Sequence, residues 1–381
     1  MKAAIFTREY PPEVYGGAGV HVEYLARELG ELIDVEVRCF GRDRPGALAF
    51  RPWGAVHPGG SALETLSVDL AMAADVDATV AHSHTWYANM AGHLAKLLHG
   101  IPHVLTTHSL EPSRPWKEEQ LGYGGYALSS WCERTAIEAA DAVIAVSNAM
   151  REDVRRFYPD VDPGRIHVIH NGIDPVEYSP DRDTDVLAEY GVDPGRPIVL
   201  FVGRITRQKG VTLLLEAALE FDPAAQLVLC AGAADTDELL QEVEAGVELL
   251  RARRDGVFWI EKMLEKREVI QLLTHATVFC VPSVYEPMGI VNLESMACET
   301  AVVASKVGGI PDVVVDGETG YLVPLGERFP HEFAERVNEL LHDPAKAQAM
   351  GEAGRRRVLE HFTWQGVAGQ TAELYERLTE R

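Results

Sequence analysis

Glu286-Pro287-Met288-Gly289-Ile290-Val291-Asn292-Leu293-Glu294 sets two carboxylates across a turn. An apolar run at 278–281 precedes it, so the segment reads as strand, turn and helix, with Glu294 about two helical turns beyond Glu286. Such a helix start offers free backbone N–H groups and the positive end of a dipole, which suit a phosphate. About eighty residues upstream, Gly203-Arg204-Ile205-Thr206-Arg207-Gln208-Lys209-Gly210 follows another apolar run, 198–202. A rigid guanidinium and a mobile ammonium on one turn can neutralise a pyrophosphate.

Elements of one kind must position these loops. Short apolar runs alternate with helical segments along the whole chain. In the first half the expected strands are 3–6, 35–40, 79–82, 103–107, 142–146 and 167–169; in the second they are 198–202, 226–230, 257–260, 278–281 and 302–304. This alternation predicts α/β architecture, with parallel sheets wrapped by helices. Two such series imply two doubly wound, Rossmann-like domains. The stretch between them, rich in Asp, Pro and Gly, reads as a linker and hinge over 173–196. The domains then span 1–172 and 197–362, and an amphipathic helix carrying Val367, Leu374, Tyr375 and Leu378 closes the chain at 363–381.

Composition narrows the function. The chain has 381 residues and a net charge of −23, which disfavours nucleic acid and anionic lipid as partners. In so acidic a chain, Arg204 and Lys209 stand out. The five cysteines are scattered and form no Cys-x-x-Cys pair, which predicts reduced, buried thiols and a cytoplasmic protein. No apolar run approaches the roughly 18 residues that span a bilayer. The N-terminus enters a strand directly and does not read as a secretory signal.

Ligands of doubly wound sheets bind at the carboxyl ends of the strands. Three features of the first half fall there. Gly16-Gly17-Ala18-Gly19 follows the first strand, and Gly16 and Gly17 would let backbone approach a phosphate or sugar closely. His108 ends the strand 103–107. The segment 109–131 mixes Arg114, Trp116, Lys117, Tyr123 and Trp131, a composition suited to a sugar phosphate, to a glucan or to a mobile flap. His82 and His84 form His-x-His; with no third ligand nearby in sequence, a metal is not expected. No Ser-His-Asp order or activated Cys points to a nucleophile.

Taken together, the two second-half loops resemble those of the retaining nucleotide-sugar glycosyltransferases of the GT-B fold. The family's hallmarks are a Gly-Arg…Lys-Gly loop and a Glu-Pro-x-Gly-(four residues)-Glu turn. The resemblance implies an N-terminal acceptor domain, a C-terminal donor domain, a cleft between them, and a last helix crossing back to the N-terminal domain. It implies that His108 contacts the transferred sugar, that Arg204 and Lys209 stabilise the departing diphosphate, and that Glu286 orients the donor sugar. Gly203 and the helix-start residues Met288, Gly289, Ile290 and Val291 would line the donor site, with Glu294 on the ribose. Ile260, Met263 and Leu264 would face the base. Attack from the front face would retain configuration, with the departing phosphate oxygen taking the acceptor proton. No Asp-x-Asp pair is placed to hold a metal–pyrophosphate complex, so fixed cations should do that work and no cofactor is expected.

The opening segment from Thr7 to His21 resembles the actinobacterial glycogen-synthase type, and this likeness covers nearly the whole chain. Its best understood members are α-maltose-1-phosphate synthases, which move glucose from ADP-glucose to glucose 1-phosphate. Dedicated glucan synthases carry a Lys-x-Gly-Gly loop; here Val14 replaces that lysine. Glu299 and Ala301 stand where the wider family has Gly and Pro. Arg114 and Lys117 would bind an acceptor phosphate. The alternatives are an ADP-glucose-dependent glycogen synthase extending α-1,4-glucan, a lipid-acceptor enzyme, a nucleotide-sugar epimerase, and a non-catalytic sensor. The absence of Lys or Arg between Arg51 and Lys96 argues against a membrane face. The expected partners are small molecules, a nucleotide sugar and a sugar phosphate, with α-glucan as a further candidate and room for a homodimer.

Overall fold

The computed structural model describes residues 1–14, 16–114, 117–232 and 234–380. Trp116 of the aromatic–basic segment and Tyr15 of the glycine loop lie outside the described residues. The chain forms two units, Met1–Gly172 with Trp364–Arg381, and Ile173–Thr363.

The first unit holds a seven-stranded sheet. Its strands are β1 (Lys2–Thr7), β2 (Asp34–Phe40), β3 (Ala47–Phe50), β4 (Val80–His84), β5 (His103–Thr107), β6 (Ala142–Ala145) and β7 (Ile166–Val168). All pair in parallel, in the order β3-β2-β1-β4-β5-β6-β7. The central strands are buried along their whole length, as strands covered by helices on both faces must be. The chain winds outward from β1 in one direction through β2 and β3, and in the other through β4 to β7. The switch point therefore lies between β1 and β4, and that is where ligands of open parallel sheets bind.

The second unit repeats the plan. It contains β8 (Ile198–Val202), β9 (Gln226–Cys230), β10 (Val257–Ile260), β11 (Val278–Val281), β12 (Ala301–Ser305) and β13 (Gly320–Val323). The order is β10-β9-β8-β11-β12-β13, all parallel, with the switch point between β8 and β11. Its core joins Val199, Phe201, Leu227, Val278 and Val303 from the sheet to Leu214, Val243, Phe333 and Val337 from the helices.

The two strands that the apolar pattern did not predict, β3 and β13, are both edge strands of four residues. Each follows a glycine-containing turn, and β3 is only half-buried, so neither makes a long apolar run. The stretch 173–196, expected as a linker, belongs to the second unit. It carries the helix Asp185–Glu189, and its backbone is held by side chains of the helix Lys266–His275. Val186 N–H donates to Gln271 Oε1 at 2.7 Å, and Asp181 N–H donates to Thr274 Oγ1 at 3.0 Å.

The last helix, Trp364–Thr379, packs on the first unit. Trp364, Val367, Leu374 and Tyr375 share one apolar core with Ile5, Val22, Leu25 and Val37. Trp364 stacks on Tyr24 with ring centroids 5.6 Å apart. All five cysteines are free and buried. No helix among the described residues is long and apolar enough to cross a membrane.

Candidate active site

Both charged loops of the second unit stand at its switch point. Gly203 to Gly210 leaves β8, and Ser283 to Gly289 leaves β11. The loops are stitched together: Val284 N–H donates to the Gln208 carbonyl at 2.9 Å. Gly210 makes this approach possible. Its φ is +64°, and a Cβ there would overlap the Pro282 carbonyl oxygen. Gly308 does the same for Glu286. Its φ is +52°, a Cβ would strike the Glu286 carbonyl, and the next N–H, of Gly309, donates to that oxygen at 2.9 Å. Neither glycine's role is visible in local sequence, because the partner of each is far along the chain.

The loops bring opposite charges together. Lys209 Nζ donates to Glu286 Oε2 at 2.7 Å, and Ser283 Oγ donates to the same oxygen at 3.3 Å. Glu286 is buried, so this carboxylate relies on Lys209 for its charge balance. Thr206 caps the short turn that carries Lys209, accepting from its backbone N–H at 3.2 Å. Arg204 is exposed, and its guanidinium lies 3.7 Å from Asp235. It is thus the less committed of the two cations. Asp235 and Asp237 form an Asp-x-Asp sequence after β9; Asp235 faces Arg204, and Asp237 begins a helix capped by Thr236.

Gly289 opens the helix Ile290–Ala297 with no side-chain cap, so the first-turn N–H groups of Ile290 and Val291, both half-buried, have no partner within the helix. Asn292 is buried there with Oδ1 unpartnered, while its amide donates to the Gly289 carbonyl at 3.1 Å. Met288, expected in the donor lining, has its side chain buried. Glu294, half-buried on the same helix, accepts from the Tyr178 hydroxyl at 3.1 Å. Burial pushes its carboxyl above the ordinary range; the Tyr178 bond and the Lys209 charge oppose this. Ile260, the last residue of β10, is buried; beyond it Leu264 is half-buried and Met263 is fully offered to solvent at 90 % exposure.

In the first unit the carboxyl ends of β4 and β5 carry imidazoles. His84 pairs with Thr106 in register, which sets His108 one turn of chain beyond it. His84 Nδ1 and His108 Nε2 lie 3.1 Å apart and share a hydrogen bond. His21, from the helix Gly17–Gly30, joins them, its Nδ1 2.7 Å from Asn171 Oδ1 and its ring edge-on to Trp364. His82, one strand layer below, is bonded to Thr106 Oγ1 at 2.7 Å and to the Tyr375 hydroxyl. Sequence spacing offered no third partner for His-x-His; the fold supplies two. One nitrogen from each of His21, His84 and His108 falls within 4.8 Å of the others, and among the described residues this is the one such group that could ligate a metal. Burial lowers the pKa of His21 to about 4 and holds His82, His84 and His108 well below 6.5, so all four are neutral at physiological pH.

Gly16 and Gly17 are exposed at the start of the helix Gly17–Gly30. The Gly16 N–H already donates to Glu9 Oε2 at 2.9 Å. Arg114 and Lys117 are committed inward. Both reach Glu111, which is fully buried: Arg114 Nη2 donates to it at 2.9 Å, and Lys117 Nζ lies 3.9 Å away. Ser129 and the Tyr126 hydroxyl also bond Glu111. An acceptor phosphate would have to compete with this carboxylate.

Two parallel sheets, each with a ligand-ready switch point, and a phosphate-suited pair of loops on the second define a glycosyltransferase scaffold. The chain belongs to the GT-B glycosyltransferases, and it is a hexosyltransferase. The "Glycosyltransferase Family 4" description matches residues 15–177, and "Glycosyl transferases group 1" matches residues 183–357. The chain is 57% identical over its full length, and over the full length of the relative, to an alpha-maltose-1-phosphate synthase of Mycolicibacterium smegmatis. A glycogen synthase of Mycobacterium tuberculosis is 28% identical, over 98% of this chain and 94% of the relative. Among solved structures, a sucrose-phosphate synthase from Thermosynechococcus elongatus superposes with a TM-score of 0.81 at 25% identity, covering 99% of this chain and 98% of that one.

Proposed function

We propose that this enzyme transfers glucose from ADP-glucose to glucose 1-phosphate with retention, forming α-maltose 1-phosphate for α-glucan synthesis. The observation that carries the reading is the contrast between 57% full-length identity to an alpha-maltose-1-phosphate synthase and 28% to a glycogen synthase.

In this mechanism the protein supplies no nucleophile. Arg204, Lys209 and the N–H groups at Ile290 and Val291 neutralise the charge that grows on the departing diphosphate. The Lys209–Glu286 pair supports this: an arriving diphosphate draws Lys209 toward itself and frees Glu286 to accept from sugar hydroxyls. Glu294 takes the ribose, and Met263 offers an exposed apolar surface to the base. His108, neutral and held by His84, donates or accepts one hydrogen bond with the transferred sugar. The departing phosphate oxygen takes the acceptor proton, so no separate base is needed. The work is proposed to need no metal and to take place in the cytoplasm.

The commitment of Arg114 and Lys117 to Glu111 favours a second reading, a neutral glucan as acceptor. Labelled ADP-glucose offered with glucose 1-phosphate, maltose or glycogen, with and without chelator, separates the two. A phosphorylated disaccharide of α configuration, formed at the same rate in chelator, is expected. Label only in polymer, or activity restored only by Mg²⁺ or Mn²⁺, contradicts the reading.

A further inference from the structure

We propose that Arg8 recognises the phosphate of a monophosphorylated hexose acceptor, in a cavity at the β1/β4 switch point. The inference rests on the proposed use of a sugar phosphate as acceptor and assigns the subsite for it.

Position is the first argument. Arg8 directly follows β1, and Trp86 and Tyr87 follow β4 after a single residue. Those strands flank the point at which the sheet reverses its winding, the crevice that parallel sheets use for ligands. A cavity of about 280 Å³ opens there, lined by Arg8, Phe40, Ser61, Glu64, Trp86 and Tyr87 among others. That falls just below the roughly 300–1,000 Å³ of sites that take drug-sized ligands, a size suited to one pyranose with its phosphate rather than to an oligosaccharide.

Charge is the second. Among the described residues no carboxylate bonds the Arg8 guanidinium. By contrast, Arg44 is spent on Glu13 and Arg114 on Glu111. Arg8 is exposed, yet it is not loose: its guanidinium carbon lies 4.1 Å from the centre of the Tyr87 ring. Lys117 Nζ approaches the same ring, 5.1 Å from its centre, and donates to the Tyr87 hydroxyl at 3.2 Å. Tyr87 therefore holds a planar, five-donor cation at the cavity wall with its fork free for a phosphate. In a chain of net charge −23, an unneutralised and oriented arginine in a crevice is a selective feature for an anion.

The rest of the lining suits the sugar. Phe40 and Trp86 give apolar walls, and Ser61 and Glu64 offer partners for hydroxyls. Glu64 is bonded to His57, and Trp86 Nε1 is buried without a partner. A neutral hexose would use this half of the cavity and gain nothing from Arg8.

Titration of the full chain with glucose 1-phosphate tests the site. Arg8→Gln is expected to weaken binding about tenfold or more, as loss of a charge-assisted partner does, with Arg8→Lys between the two. Inorganic phosphate should displace the ligand more effectively from wild type than from Arg8→Gln, whereas glucose should discriminate little. Equal affinity in wild type and Arg8→Gln, or no binding to wild type, overturns the assignment. Product analysis keeps the two claims apart. Maltose 1-phosphate made with a KM for glucose 1-phosphate independent of Arg8 removes the site and leaves the proposed function. Arg8-dependent binding without that product keeps the site and removes the function.

Discussion

The two units use one plan and fill it differently. In the second, the switch point between β8 and β11 is closed by charged loops, with Lys209 and Glu286 already paired at 2.7 Å. In the first, the strand ends beside the switch point present neutral imidazoles, His21, His84 and His108, bonded to one another or to an amide. The same backbone crevice therefore suits a diphosphate in one unit, and in the other it sets neutral imidazoles, suited to sugar hydroxyls, beside a single exposed cation, Arg8. The sheet supplies the place; the side chains after two strands decide the ligand.

The sharpest way to break this contrast is to remove the cations of the second unit. Arg204→Ala and Lys209→Ala are each expected to lower kcat about a hundredfold or more, as loss of one transition-state donor commonly does. Lys209→Ala should also lower stability, because it leaves the buried Glu286 carboxylate without its partner. Arg204→Ala should not, since that side chain is exposed. Near-normal turnover in both folded variants would remove the leaving-group role.

A second test uses acid. Burial lowers His21 from 6.5 to about 4, so as pH falls below 6.5 the unfolded chain takes up protons that the folded chain refuses. Stability is fully present above that pH and is lost downward toward pH 4. At pH 5 the loss from His21 alone is about 2 kcal/mol, and His82, His84 and His108 act in the same direction. Glu294 has the opposite sign. Its raised pKa is a cost of burying charge, which protonation relieves as pH falls. Glu133 and Asp69, buried carboxyls of the first unit with raised pKa values, act like Glu294, so hydrogen exchange between pH 7 and pH 5 should loosen the peptides that carry His21, His84 and His108 before those of the second unit. The reverse order would mean that the imidazoles are not buried neutral groups.

The smallest effect concerns Glu294. Glu294→Gln is expected to raise the donor KM by roughly fivefold while changing kcat little, because the proposed ribose contact would be made in ground and transition states alike. An unchanged KM with a collapsed kcat would move Glu294 into the chemistry.

Much of this contrast is legible in the chain, and the unread part has a physical pattern. Residues 103–107, 198–202, 226–230, 257–260 and 278–281 read as strands with the boundaries observed, because each is a short, largely apolar run between helical or turn segments. Glycine spacing marked both charged loops. Pairings across the chain were not legible. His21 meets His84 only through the winding of β1 and β4, and Glu111 captures Arg114 and Lys117 from within the very segment whose composition suits a sugar phosphate, a glucan or a mobile flap. Glu299 shows the converse. Its φ of +65° is a left-handed backbone that favours glycine, which accounts for the wider family's preference there.

The central claim is that the enzyme selects a phosphorylated acceptor. One competition tests it directly: limiting labelled ADP-glucose with glucose 1-phosphate and glycogen in the same tube, and the label partitioned between disaccharide phosphate and polymer. The account predicts that kcat/KM favours glucose 1-phosphate, so that most label appears in maltose 1-phosphate. Label accumulating chiefly in glycogen would contradict it and make this enzyme a glucan synthase.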